Sequence, residues 1–342
     1  MKKPLILILV IAMLMVPLMA CEGQDSSGGS AATVSGGTPD ASGGDKVFTI
    51  GLAAKSFSDP WTFWLAQIIE DVAKAEYPQF NIQMLDCEFT VDKQLNVVEN
   101  FITQDVDLII LQPADRTAVG EVVGKAWDAG IPIITNTYLE DDDKSYFVRA
   151  DPETEGKIEG EYIAEKLPEN AKIVIIEGAP GNLAAMGRQE GIMAVLNEKR
   201  PDIQILGSKT ANWQRAEAMS LMEDWIQAFP EIDAIVSHND DCLIGAIEAM
   251  KAAERLDDDL ITIGVDGLSE ACYYIKNGEQ TASVLNNAPG IAEKMLEIAK
   301  TILIDGQMPD QQDYFVEGVL ITKDNVDEII QMHKDYGFWT YD

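Results

Sequence analysis

The stretch Ala234-Ile235-Val236-Ser237-His238-Asn239-Asp240-Asp241-Cys242-Leu243-Ile244-Gly245-Ala246-Ile247 decides the fold. A short apolar run stops on polar residues, and an apolar pattern of helical period follows at once, with Leu243, Ile244, Ile247 and Met250 on one face. A run this apolar suits a strand buried on both faces, and a strand feeding straight into a helix is half of a parallel crossover unit. The pattern recurs outward in both directions. Strands are expected at Val47–Ala53, Phe80–Asp86, Asp107–Gln112, Ile131–Asn136, Lys172–Glu177, Ile203–Ser208, Ala234–Ser237, Leu260–Val265 and Ala282–Leu285, with helical segments between them such as Trp64-Leu65-Ile68-Ile69-Val72-Ala73. Nine strands exceed what one such sheet usually holds, and the series restarts near Tyr146–Pro152. The expectation is an α/β protein of two similar Rossmann-like lobes, each a doubly wound parallel sheet.

Polar residues stand where these apolar runs end: Gln112, Asn136, Glu177, Asn239, Asp266 and Asn286. One such residue is ordinarily a turn former or a helix cap. Six on the carboxyl edges of parallel strands would line the crevice in which open α/β sheets bind ligands. Two tryptophans sharpen this. Trp61 falls on the first turn of the helix after Ser58-Asp59-Pro60, and Trp213 follows a strand in the second half. Aromatic faces opposite each other, with Asn, Asp and Arg around them, suit the C–H faces and hydroxyls of a sugar. Phe63 and Trp64 are expected in the core.

The 342 residues carry 25 Lys and Arg against 58 Asp and Glu, a formal charge of −33. So acidic a surface repels phosphate backbones and excludes nucleic acid as a natural partner. The amino terminus reads as a signal peptide over residues 1–20: Lys2 and Lys3 precede an apolar stretch from Leu5 to Met15. Its end, Leu18-Met19-Ala20-Cys21, resembles a bacterial lipobox, with Cys21 the lipidated residue; the alternative is an ordinary cut after Ala20. Residues 21–45, rich in Ser, Gly, Ala, Thr and Asp, then form a lipid-anchored flexible linker holding a soluble portion outside the membrane. Cys87, Cys242 and Cys272 form no C-x-x-C pair and are expected as small buried hydrophobes.

Taken together, several segments resemble one family in their order and spacing: Ser56-Phe57-Ser58-Asp59-Pro60-Trp61, Ile110-Leu111-Gln112-Pro113-Ala114-Asp115, Ala129-Gly130-Ile131-Pro132-Ile133, Glu177-Gly178-Ala179-Pro180-Gly181 with Arg188 beyond it, His238 to Ala246, and Gly264-Val265-Asp266-Gly267. The chain resembles the periplasmic sugar-binding proteins of ABC transporters, in the ribose- and galactofuranose-binding branch. The resemblance implies the type I periplasmic-binding-protein fold. In it, residues 46–150 with 287–314 form the first lobe, 151–286 with 315–342 form the second, and a three-segment hinge joins them. It implies that Trp61 and Trp213 stack on a sugar ring and that Arg188 donates a fork of hydrogen bonds. It further implies that Asn239, Asp266 and Asn286 bond hydroxyls, with Asn136 in the strand-end position where ribose binders carry an Asp-Arg pair. Here that pair is Asn136-Thr137, which must change the preferred hydroxyl pattern. The implied protein is a monomeric, exported, non-catalytic receptor with no cofactor or metal, a monosaccharide ligand and a permease partner.

Rival readings have less behind them. Glu177 and Asp266 could serve as the paired carboxylates of a glycosidase, but acceptor roles suit both better. There is no G-x-S-x-G or H-E-x-x-H motif, and Gly178-Ala179-Pro180-Gly181 is not a dinucleotide fingerprint. His238 with Asp240 and Asp241 imitates a metal site, although a strand-end histidine before a helix cap explains it more simply. A sugar-responsive repressor would need a helix-turn-helix where the signal and linker stand. A membrane-tethered signalling receptor would share the pocket and differ only in partner.

Overall fold

The computed structural model describes residues 46–342; the expected signal, Cys21 and the linker to Asp45 lie outside them. The strands are β1 (Phe48–Ala54), β2 (Phe80–Asp86), β3 (Leu108–Leu111), β4 (Ile133–Thr135), β5 (Ser145–Arg149), β6 (Lys172–Glu177), β7 (Gln204–Thr210), β8 (Ala234–Ser237), β9 (Ile261–Asp266), β10 (Ala282–Leu285), β11 (Asp313–Phe315) and β12 (Val319–Thr322). The helices are α1 (Pro60–Glu76), α2 (Val91–Thr103), α3 (Gly120–Asp128), α4 (Pro152–Lys166), α5 (Leu183–Lys199), α6 (Arg215–Ala228), α7 (Asp240–Ala252), α8 (Ser269–Asn277), α9 (Ala288–Leu303) and α10 (Val326–Asp335).

All nine expected strands form, and they build two six-stranded sheets in the orders β11-β5-β4-β3-β1-β2 and β12-β10-β9-β8-β6-β7. Pairing is parallel throughout except between β12 and β10. Apart from the last edge strand, both sheets share one order: the second strand outside the first, then the third, fourth and fifth on its other side. The order therefore reverses between β1 and β3 in one lobe and between β6 and β8 in the other, and ligands of doubly wound sheets bind beyond the strand ends at such reversals.

The chain passes between the sheets three times: after Arg149, after Leu285 and between Phe315 and Val319. Two details differ from the sequence reading. The Tyr146–Pro152 segment, read as the point of division, is largely β5, so the first crossing begins only after Arg149. Phe315 pairs with Arg149 in the first sheet, so the third crossing lies just beyond it.

Side chains at the helix entries explain why each helix starts where it does. Asp59, Asp151, Asn182, Asn239 and Asn287 each cap a helix by accepting from an amide of its first turn, and Pro60, Pro152 and Pro289 occupy early positions where a missing N–H costs nothing. The inner strands β3, β8 and β10 are buried along their whole length, chiefly on Ile, Val, Leu and Ala. One apolar cluster is continuous across the lobes, joining Trp64 and Ile68 of α1 and Met295 of α9 to Ala271 of α8 and Ile330 of α10. Cys87, Cys242 and Cys272 are buried free thiols. Among the described residues no helix is long and apolar enough to cross a membrane.

Candidate functional site

In the first lobe the site begins at the turn from β1 into α1. The Asp59 carboxylate accepts from the Thr62 amide (2.9 Å) and pairs with Lys55 (2.8 Å). Burial pushes this carboxyl up, but Lys55 and the capped amide outweigh burial and hold it below the usual carboxylate range. The rigid first turn aims Trp61 at the other lobe, where its indole N–H donates to the Asn286 carbonyl at 2.9 Å.

The second lobe supplies a buried cation. Arg188 on α5 is only 3% exposed; its Nε donates to Glu155 at 2.8 Å and its Nη1 to the His238 carbonyl. Its Nη2 stands 3.9 Å from Asp266, too far for a hydrogen bond. Beside the guanidinium, 6.0 Å from its central carbon, is the ring of Trp213. Trp213 and Asn212 both have left-handed backbone (φ 64° and 51°), a conformation uncommon for such residues. That turn lays the indole directly on Gly178, where a Cβ would come within 2.1 Å of the ring, so only glycine fits beneath it.

Asp266 ends β9 with φ 124°, a conformation L-residues rarely adopt, and strain of this kind gathers at functional positions. Burial raises its carboxyl well above the ordinary value; Arg188 opposes the rise, while Asp240 and Asp59 add to it. Next to it, Asp240 is a structural acid. It accepts from the Gly267 and Leu268 amides (2.8 and 3.1 Å), Ser283 (2.8 Å) and Gln280 (3.1 Å), and burial still lifts it to about 7. His238 accepts from the Gly178 amide through Nδ1 (3.2 Å) and faces the Gln189 side-chain oxygen through Nε2 (3.1 Å), which makes it the Nε2–H tautomer. Burial and Arg188 drop it to about 3, so it is a neutral prop and not a proton carrier. Among the described residues no three His, Cys, Asp or Glu side chains are placed to hold a metal.

Six of the seven expected binding residues are tied together by direct or adjacent contacts: Trp61 to Asn286, the Asn286 amide to the Asp266 carbonyl (3.2 Å), Asp266 and Trp213 to Arg188, and Arg188 to the residue before Asn239. Asn239 also caps α7, its Oδ1 accepting from the Cys242 amide at 3.2 Å, which leaves its NH2 uncommitted. Asn136 hydrogen-bonds to none of them; its Oδ1 is buried without a donor, as are Asn286 Oδ1 and Gln112 Oε1. Gln112 donates instead to the Thr62 carbonyl (3.3 Å). Glu177 turns away from the crevice and takes the Ser208 hydroxyl on β7. Trp64 is in the core as expected, its ring tilted 34° to that of His333 with centroids 4.7 Å apart, but Phe63 is not: it is 38% exposed and packs edge-on against Phe57. The α1 pattern turns Leu65, Ile68 and Ile69 inward and leaves Phe63 facing outward.

Sequence reasoning missed Glu155 and Glu159, both fully buried on α4 beside Arg188. The signal that could have found them is the spacing Gly156–Gly160 on α4 and Gly187–Gly191 on α5. A Cβ at Gly156 would lie 2.1 Å from the Arg188 carbonyl, and one at Gly191 would lie 2.2 Å from that of Glu153. Helices this close must bury the residues beside those glycines, whatever their polarity.

Residues 50–308 match the family model described as periplasmic binding protein domain. The chain belongs to the periplasmic binding protein family. Within it, the chain is 33% identical over 289 residues to a putative rhizopine-binding protein of Rhizobium meliloti, covering 82% of this chain and 92% of that one. It is 30% identical over 266 residues to the ribose import binding protein of Bacillus subtilis, covering 78% and 85%. An ABC transporter solute binding protein from Bacillus halodurans, solved with bound myo-inositol, superimposes with a TM-score of 0.76 at 32% identity, covering 84% of this chain and 99% of that one. The family consists of two-lobed binding proteins, and the paired sheets described above are its architecture.

Proposed function

We propose that this chain captures a monosaccharide or small cyclic polyol between its lobes and delivers it to the permease of an ABC importer. One observation carries the reading. The Asp266 carboxylate and the Trp213 ring stand beside the guanidinium of Arg188, Trp61 reaches the Asn286 carbonyl, and at two strand ends Asn286 Oδ1 and Asn136 Oδ1 are buried without a donor. Adjacent hydroxyls supply what such acceptors lack, and indole faces cover the apolar faces of the ring. A ligand with one hydroxyl misplaced leaves a buried group unanswered, at about 1–3 kcal/mol each, so epimers are told apart without chemistry. Asn136-Thr137 removes a carboxylate and a cation from this edge, which favours a hydroxyl pattern other than that of ribose.

The two lobes act as jaws turning on the three crossings, the chain returning to the second lobe only beyond Phe315. Trp61 to Asn286 is one of the contacts that join them, beside the second crossing. The closed, loaded form is the one a permease reads. The chain is exported, acts as a monomer and is held to the membrane face by lipid on Cys21, with residues 22–45 as tether. Membrane retention of Cys21→Ala after cell fractionation would count against that anchor.

A thermal-shift screen with D-ribose, D-allose, D-galactose, L-arabinose, D-fructose and myo-inositol tests the ligand class. At least one should raise the melting temperature, and Arg188→Ala and Trp213→Ala should each weaken its binding by tenfold or more, about 1.4 kcal/mol. No stabilisation by any of them would remove the reading.

A further inference from the structure

The interior behind Arg188 holds more acid than one guanidinium can balance. Glu155 and Glu159 lie four residues apart on α4 and so stack on one face of it, pressed against α5 by the glycine contacts. Glu155 gives one oxygen to Arg188 and leaves Oε1 without a partner; Glu159, with no exposed surface, has neither oxygen hydrogen-bonded. Asp266 faces the same guanidinium from β9 at 3.9 Å. The other charged and titratable groups around them do not relieve this excess. Asp240 on α7 and Asp59 before α1 add negative charge, with Lys55 committed to Asp59, and Asp151 at the α4 cap adds its own beside Glu155. His238, at the end of β8, is neutral.

We propose that Glu159, Glu155 and Asp266 form an electrostatically coupled acid trio around Arg188, so that capture of the ligand at Asp266 expels a proton from this trio. The inference rests on the reading of Asp266 as a hydroxyl acceptor. Glu155, Glu159 and Asp266 cannot all be ionised in a dry interior around one cation, and burial raises all three. Hydroxyl donors from a bound sugar favour the ionised form of Asp266, and Arg188, locked between Glu155 and the His238 carbonyl, is already in place to stabilise it. The proton leaves to solvent and no covalent bond changes. Since the ligand-bound trio holds its proton less tightly than the free one, affinity strengthens as pH rises through the window between the two and is level on either side of it. The slope approaches about tenfold per pH unit for one proton.

The test is calorimetry with whichever of the six compounds stabilises the wild-type protein most, run in phosphate and in Tris. The expected result is an observed heat that differs between the two buffers by the difference of their ionisation enthalpies for each proton released to them, and a Kd that tightens with pH. Glu159→Gln keeps the shape and removes one acid, so the remaining carboxyls ionise more readily and the pH profile of Kd moves to lower pH. Binding by the wild type without proton release overturns the proposal and leaves the sugar reading intact; so does a Glu159→Gln profile that superimposes on the wild type. If Glu159→Gln fails to fold, the wild-type proton count decides alone. If none of the compounds binds, the reading and the proposal fall together.

Discussion

Glu159 is also the residue whose cost to the fold changes most simply with pH. Buried without a donor, it holds its proton well above the ordinary value, whereas in the unfolded chain it titrates near about 4.3. Above that value the unfolded chain sheds the proton and the folded protein keeps it, so stability falls as pH rises until the folded-state value is passed. Glu159→Gln escapes this. Its melting temperature should draw steadily ahead of wild type as pH rises above about 4, and a constant difference in circular-dichroism melts would show that Glu159 does not titrate as a buried acid. At this scale the sequence was legible where a side chain's chemistry and its place after a strand agreed, as at Trp61, Asn239 and Asp266. It was not legible on α4, where a glutamate reads as a solvated face unless the neighbouring glycines are weighed. Phe63 is the opposite case, an aromatic credited to the core that the helix turns outward.

Between elements, the α4–α5 contact has the least room. Backbone atoms of α4 approach the Gly191 position so closely that an added methyl would meet the Glu153 carbonyl at 2.2 Å and the Lys157 amide nitrogen at 2.6 Å. Neither is a flexible side-chain tip that can swing aside. Gly191→Ala should therefore cost about 1–3 kcal/mol and, because Arg188 lies one turn away, should weaken ligand binding as well. A denaturant melt and a titration check both; an unaffected titration would show that the contact does not set the guanidinium. The strands were mostly readable because strands buried on both faces must be almost wholly apolar, as in Lys172–Glu177, Ala234–Ser237 and Ala282–Leu285; these form with the expected bounds, as does the partly exposed edge strand Phe80–Asp86. β5, β11 and β12 were not. β5 was taken for a boundary, and β11 and β12 are edge strands of three and four residues, too short and too exposed for an apolar run to mark them.

Over the whole molecule, repetition made the architecture readable: each half spells the same strand order, so each must fold into the same sheet and present its carboxyl edge to the other. The crossings could not be read that way, because an edge strand supplied from far along the chain has no local signature. Their placement has a consequence for the order of synthesis. The first sheet starts at Phe48 yet takes its outer strand from Asp313–Phe315, and the second takes its own from Val319–Thr322. A nascent chain that has emerged only as far as Leu303 carries neither strand, and both sheets then expose an open edge to any other chain in reach. The two lobes, joined through one apolar cluster, also finish together in time: neither sheet has its outer strand until the chain beyond Asp313 has been made.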